Sequence, residues 1–143
     1  MYEQLIYVSR AAAGLDAKAA YDIIRVAHNR NSRDQLTGML VFLDGYFLQV
    51  LEGRPHHLEA CFERISADSR HTAIELRRRT PSAVLEFAGE WMALRHESGI
   101  SDTTKLAFNY QAGYPKDTFD ADKLLAFAHA CKGDLYGDVY GDL

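Results

Sequence analysis

Cysteine is scarce in this sequence. Only Cys61 and Cys131 occur among 143 residues, far apart and without the nearby partners of a metal site. That excludes a disulfide framework or a zinc cluster and predicts two reduced thiols, Cys61 within an apolar helical stripe. Long apolar runs are also missing: none approaches the roughly 20 residues that cross a bilayer, so no membrane association is expected. The start, MYEQLIYVSR, lacks the charged end and apolar stretch of a signal peptide, which predicts a cytoplasmic protein. Positive charge is in deficit, with a net charge of −4. General nucleic-acid binding is therefore not expected, and the one dense basic run, Arg77-Arg78-Arg79, is placed on an exposed strand edge. No GxGxxG fingerprint of a dinucleotide-binding enzyme is present.

What is present is periodicity. Tyr2–Ser9 alternates as a strand with Leu5, Tyr7 and Ser9 on one face. After Gly14, Asp16 caps a helix running to about Asn31, with Ala20, Ile23, Ile24 and Ala27 as its inner stripe. Leu36–Phe42 and Tyr46–Glu52 flank Asp44-Gly45, a strong hairpin signal because both turn positions need positive φ. Pro55 suits the first turn of a helix in which Leu58, Cys61, Phe62 and Ile65 form one face to about Asp68. Strands follow near Thr72–Arg79 and Phe87–Arg95, and a helix over Asp122–Cys131 turns Leu124, Leu125, Phe127 and Ala128 inward. The closing GDLYGDVYGDL reads as a loose tail. The order β-α-β-β-α-β-β predicts an α+β, ferredoxin-like sheet with two helices on one face, plus a C-terminal helical extension. Residues 1–97 would form the main unit and 98–143 the extension.

Three sets of polar residues stand out. Gln49 interrupts FLQVLEG on the face of Phe47 and Leu51, and a buried amide without partners costs about 1–3 kcal/mol. With Tyr7 it forms either a structural core bond or the edge of a ligand site. The run His28–Arg33, with Asn31 as a cap, is either a solvated helix end or a set of donors beside the same sheet face. Arg64 and Asp68, at i,i+4, make either a surface ion pair or a clamp on the polar edge of a ligand between the helices.

The segments LIYVSR at 5–10, LTGMLVF after Asn31, DGYFLQVLEG at 44–53 and FERISADSRH at 62–71 together resemble the BLUF family of blue-light sensors, over about residues 1–95. The resemblance implies a photoreceptor rather than an enzyme, holding FAD, with FMN or riboflavin as alternatives. It implies Tyr7 as the electron and proton donor and Gln49 as the amide that rearranges. Asn31 would bind the flavin's carbonyl and imide edge, Arg30, Arg64 and Asp68 other polar parts, and Ile24 would wall the ring. Met92 matches the methionine that senses Gln49. Members often carry Trp two residues before that methionine; here Glu90 stands there and Trp91 adjoins Met92, so strand alternation sets Trp91 on the opposite face. Output would pass through the last strand and C-terminal helices to a signalling protein, with homo-oligomers expected. The rival readings are a flavin-binding redox enzyme, an acylphosphatase-like hydrolase, for which AAAGLD offers only one glycine, and a non-photoactive ferredoxin-like interaction module.

Overall fold

The computed structural model describes residues 1–96, 100–111 and 119–132. The side chains of residues 17, 20, 21, 24, 28, 91–96 and 132 lie outside that description. The elements run β1 (Tyr2–Ala11), α1 (Ala17–Asp34), β2 (Thr37–Leu43), β3 (Tyr46–Gly53), α2 (Pro55–Ser66), β4 (His71–Ser82), β5 (Trp91–His96), α3 (Asp102–Ala107) and α4 (Ala121–Lys132). The α+β order expected from periodicity is the order observed. Five strands form one mixed sheet in the sequence β4-β1-β3-β2-β5. β3 lies antiparallel between β1 and β2, β4 runs antiparallel to β1, and β5 runs parallel to β2.

Local chemistry explains the boundaries. The Asp16 carboxylate accepts from the Ala19 N–H at 2.9 Å and starts α1. The helix continues past the expected stop at Asn31, because Gln35, at φ 59°, returns its N–H to the Asn31 and Ser32 carbonyls. Asp44 (φ 50°) and Gly45 (φ 79°) make the tight turn that pairs Leu43 with Tyr46. Gly38 has no room for a side chain: a Cβ there would meet the Val50 carbonyl oxygen at 1.9 Å.

The sheet has two covered faces. Leu5, Tyr7, Leu40, Phe42, Phe47 and Leu51 face α1 and α2 with Leu58 and Cys61. Ile6, Val8, Met39, Val41, Leu48 and Val50 face the other way, under Phe119, Leu124, Phe127, Ala128 and Cys131. This is the period-two alternation of a sheet buried on both sides. Leu124, Phe127 and Ala128 turn inward as expected, Leu125 is half-buried, and Cys131 joins them. β4 is an edge strand, yet its basic run is committed. Arg77 donates to the Phe119 carbonyl at 2.8 Å, Arg78 pairs with Asp122, and Arg79 bridges Glu3 and Glu59. Among the described residues no helix is long and apolar enough to cross a membrane, and no metal-binding cluster of His, Cys, Asp and Glu occurs.

The chain must pass from β4 at one edge to β5 at the other, and Glu52 holds that passage. Its carboxylate, 1% exposed, accepts from the Glu86 and Phe87 amides at 2.8 Å each, from Thr37 Oγ1 at 3.0 Å and from Gln4 Nε2 at 3.2 Å. Phe87, expected to begin the last strand, instead lies in this connection and stacks on His129 at 4.5 Å. A turn closed by Glu90 N–H to the Phe87 carbonyl, with Gly89 at φ +85°, delays β5 to Trp91. Glu52→Gln sets an amide donor among donors and is expected to lower the unfolding free energy by about 2–3 kcal/mol. Urea denaturation checks this; a loss under about 0.5 kcal/mol would show that the carboxylate does not hold the passage.

Candidate functional site

Tyr7 and Gln49 are direct cross-strand partners on β1 and β3. Their side chains point to the helix-covered face, where the Tyr7 hydroxyl donates to Gln49 Oε1. Both are almost fully buried, at 2% and 6% exposure. The β1–β3 ladder runs without a shift from Glu3–Gly53 to Arg10–Tyr46, and a slip of one residue would send Gln49 to the opposite face. Burial drives the Tyr7 phenol pKa well above its ordinary value, and the negative potential of Cys61 and Asp68 adds to the shift. The hydroxyl therefore stays protonated and available as a donor.

This pair forms the floor of a cleft of about 170 Å³ between α1 and α2. Ile23, Val26 and Ala27 line one wall, Cys61 and Ile65 the other, with Leu40 and Phe47 on the sheet. Arg30, Asn31, Arg64, Asp68, Arg70 and His71 supply polar groups. Asn31 is 2% exposed, inside the last turns of α1 rather than at its cap. The cleft thus gathers Tyr7, Arg30, Asn31, Gln49, Arg64 and Asp68. The side chains of Ile24 in α1 and Met92 in β5, with that of Trp91, lie outside the described residues.

One expected contact is replaced. Arg64 and Asp68 do not pair, because α2 ends at Ser66 and Asp68 leaves the helical i,i+4 position. Arg64 instead approaches Asp34 at 3.8 Å. Asp68 is taken by Arg70, whose hydrogen bonds hold its carboxyl below the ordinary carboxylate range. Burial raises the Cys61 thiol pKa, while Arg64 and Arg30 pull it down. Cys61, expected only as core, is both core and cleft wall. Arg70 and His71 were not singled out, although both stand in the same SADSRH string as Asp68.

The donor set fits a flavin. A flat ring system with apolar faces and a carbonyl- and imide-rich edge needs a narrow apolar slot with donors at one end. The cleft has apolar walls and such donors, and Arg64 Nη2, though 3.8 Å from Asp34, is buried without a hydrogen-bond partner.

Comparison with known proteins agrees with this geometry. The sequence pattern of the BLUF family, sensors of blue-light using FAD, matches residues 2–93. The chain is 31% identical over 87 residues to photoactivated adenylate cyclase subunit beta of Euglena gracilis, covering 61% of this chain and 10% of that protein. It therefore spans about a tenth of the length of that relative. BlrP1 of Klebsiella pneumoniae, solved with FMN and cyclic diGMP, aligns with a TM-score of 0.62 at 32% identity, over 66% of this chain and 25% of that one. The ground state of BlsA aligns with a TM-score of 0.84 over 100% of this chain and 95% of that one; at 22% identity, this likeness is one of fold.

The Tyr7 shift has a consequence for stability. The folded chain keeps a proton that the unfolded chain releases near pH 10, so this contribution is fully present below that pH and is lost as pH rises towards the folded value. At pH 11 the flavin-free wild type is expected to have lost about 1.4 kcal/mol more unfolding free energy than Tyr7→Phe, relative to pH 9. Urea unfolding at the two pH values reads the difference, and parallel losses would place Tyr7 in a wetter setting.

Proposed function

The chain belongs to the BLUF family, and from that premise we propose that it is itself a blue-light photoreceptor in which Tyr7 and Gln49 form the switch. The observation that carries this reading is the buried Tyr7–Gln49 hydrogen bond at the floor of a cleft lined by apolar side chains and by Arg30, Asn31 and Arg64. A bound flavin supplies absorption of blue light and, once excited, a one-electron acceptor. Asn31, Arg30, Arg64 and Asp68 would hold its polar parts, and apolar residues of α1 and α2 would enclose its faces, with Ile24 assigned to that wall by the family resemblance. FAD is the flavin proposed, with FMN and riboflavin as alternatives.

Tyr7 gives up an electron, and its phenolic proton passes along the existing hydrogen bond to the Gln49 carbonyl. The starting proton position suits this step, since burial keeps the phenol neutral until oxidation makes it acidic. Gln49 offers an acceptor at one atom and donors at another. Rotation or tautomerisation of the amide exchanges which group faces Tyr7 and which faces the cleft. Return of the electron and the proton to Tyr7 leaves no charge displaced, and the new hydrogen-bond pattern marks the lit state. Met92, on β5, senses the change.

A sensor unit of 1–97 is followed by an extension of 98–143, through which the chain is proposed to act by contact. α4 covers the sheet face opposite the cleft and is tied to β4 by Arg78 through Asp122, while Arg77 holds the Phe119 carbonyl just before it. It offers the surface through which a signalling protein, or a second copy in a homo-oligomer, would read the state by population shift. A cytoplasmic setting accords with Cys61 and Cys131 being buried thiols outside any disulfide among the described residues.

Purified protein loaded with FAD is expected to shift its flavin absorption reversibly to the red under blue light. Tyr7→Phe is expected to abolish that shift while retaining the flavin. A wild-type spectrum unchanged by illumination would defeat the sensor reading; a normal photocycle in Tyr7→Phe would remove Tyr7 from the donor role.

A further inference from the structure

His71 opens β4 beside the cleft, and the photochemical steps above leave it without a role. Its Nε2 lies 2.6 Å from the Ile65 carbonyl oxygen and its Nδ1 2.7 Å from Ser9 Oγ. A carbonyl only accepts, so Nε2 carries a hydrogen. The neutral ring then presents a bare Nδ1, which accepts from the Ser9 hydroxyl. One imidazole thus joins β1 to the last turn of α2. Ser9 is buried two residues from Tyr7 on the same strand face. The His71 ring also stands edge-on to Tyr7, with centroids 6.1 Å apart, and to Phe47 at 5.9 Å.

The backbone is bent to produce this arrangement. β1 and β4 pair Val8 with Glu75 but Arg10 with Thr72, so Ala73 and Ile74 both stand opposite Ser9. An unbroken ladder from Val8–Glu75 would set His71 opposite Ala12, on the far face. The extra residue sets it opposite Ala11, which shares the cleft face with Ser9 and Tyr7. The bulge is strained: Ala73 has φ 52°, a left-handed conformation that costs an alanine about 1–2 kcal/mol. Strain of this kind persists where surrounding contacts over-determine the backbone, and it collects at functional sites.

We propose that His71 is a positioning residue: held as the Nε2–H tautomer between Ser9 and α2, it fixes the Tyr7 ring against Gln49 and sets the rate at which the lit arrangement returns to the dark one. This rests on the photoreceptor reading above. His71 touches Tyr7 by ring contact alone, and both its nitrogens are spent on the scaffold.

Ser9→Ala removes the donor to Nδ1, and Ser9→Thr restores a hydroxyl. In flavin-free protein, nitrogen NMR of the imidazole is expected to show one tautomer for His71 in wild type and Ser9→Thr, with slow flips of the Tyr7 ring. Ser9→Ala is expected to mix tautomers and speed the flips. In flavin-loaded protein, thermal return to the dark spectrum is expected to change about five-fold in Ser9→Ala, the change one ordinary hydrogen bond implies, and to recover wild-type timing in Ser9→Thr. Should Ser9→Ala not fold, His71→Asn, which gives up the Ile65 bond, carries the ring-flip and return-rate readings. Wild-type tautomer, ring flips or return rate in the folded variant would overturn the proposal. A wild type without any light-induced shift would instead defeat the photoreceptor reading, leaving the NMR arm to judge the clamp.

Discussion

The Tyr7–Gln49 hydrogen bond is the constraint around which the cleft is built. Two polar groups on an otherwise apolar sheet face are tolerable only when each satisfies the other. That requires their strands to be neighbours in one register, and the unbroken β1–β3 ladder supplies it. It also requires dryness, which α1 and α2 provide with Leu58, Cys61 and Leu36 against the sheet. Burial then keeps the Tyr7 proton in place, so that one bond serves both packing and the proposed chemistry.

The opposite face uses polar groups for a different purpose. Glu52, three residues beyond Gln49, holds the passage between β4 and β5 with two backbone amides. Gln4, three residues before Tyr7, bridges Glu52 to Glu86, and Glu86 meets His129 on α4 at 2.9 Å. The strands carrying the switch therefore reach the C-terminal helix by side-chain contact as well as by apolar packing. Contiguity of this kind is a route and not a measured coupling.

Much of this was legible in the sequence because it follows from local rules. Strand alternation alone placed Leu5, Tyr7 and Ser9 together and Gln49 beside Phe47 and Leu51. Asp16 and Asp44-Gly45 marked a helix start and a turn through their own backbone chemistry. What escaped depended on tertiary choice. Nothing local tells Arg64 to approach Asp34 while Asp68 takes Arg70, since α2 stops two residues short of Asp68. Asn31 lies inside α1 because Gln35, a residue without strong left-handed preference, closes the helix. The bulge at Ala73 left no mark at all, as alanine is an unusual occupant of that conformation. His71 thus came to the cleft face by a register shift that alternation could not anticipate.

The central claim is that light changes the hydrogen bonding of the Gln49 side chain. The most direct test is a light-minus-dark infrared difference spectrum of flavin-loaded protein carrying isotope-labelled glutamine, with Gln49→Leu as control. The account predicts an isotope-sensitive side-chain amide band that moves on illumination and is missing from the control. A photocycle in which no glutamine amide band changes would contradict it.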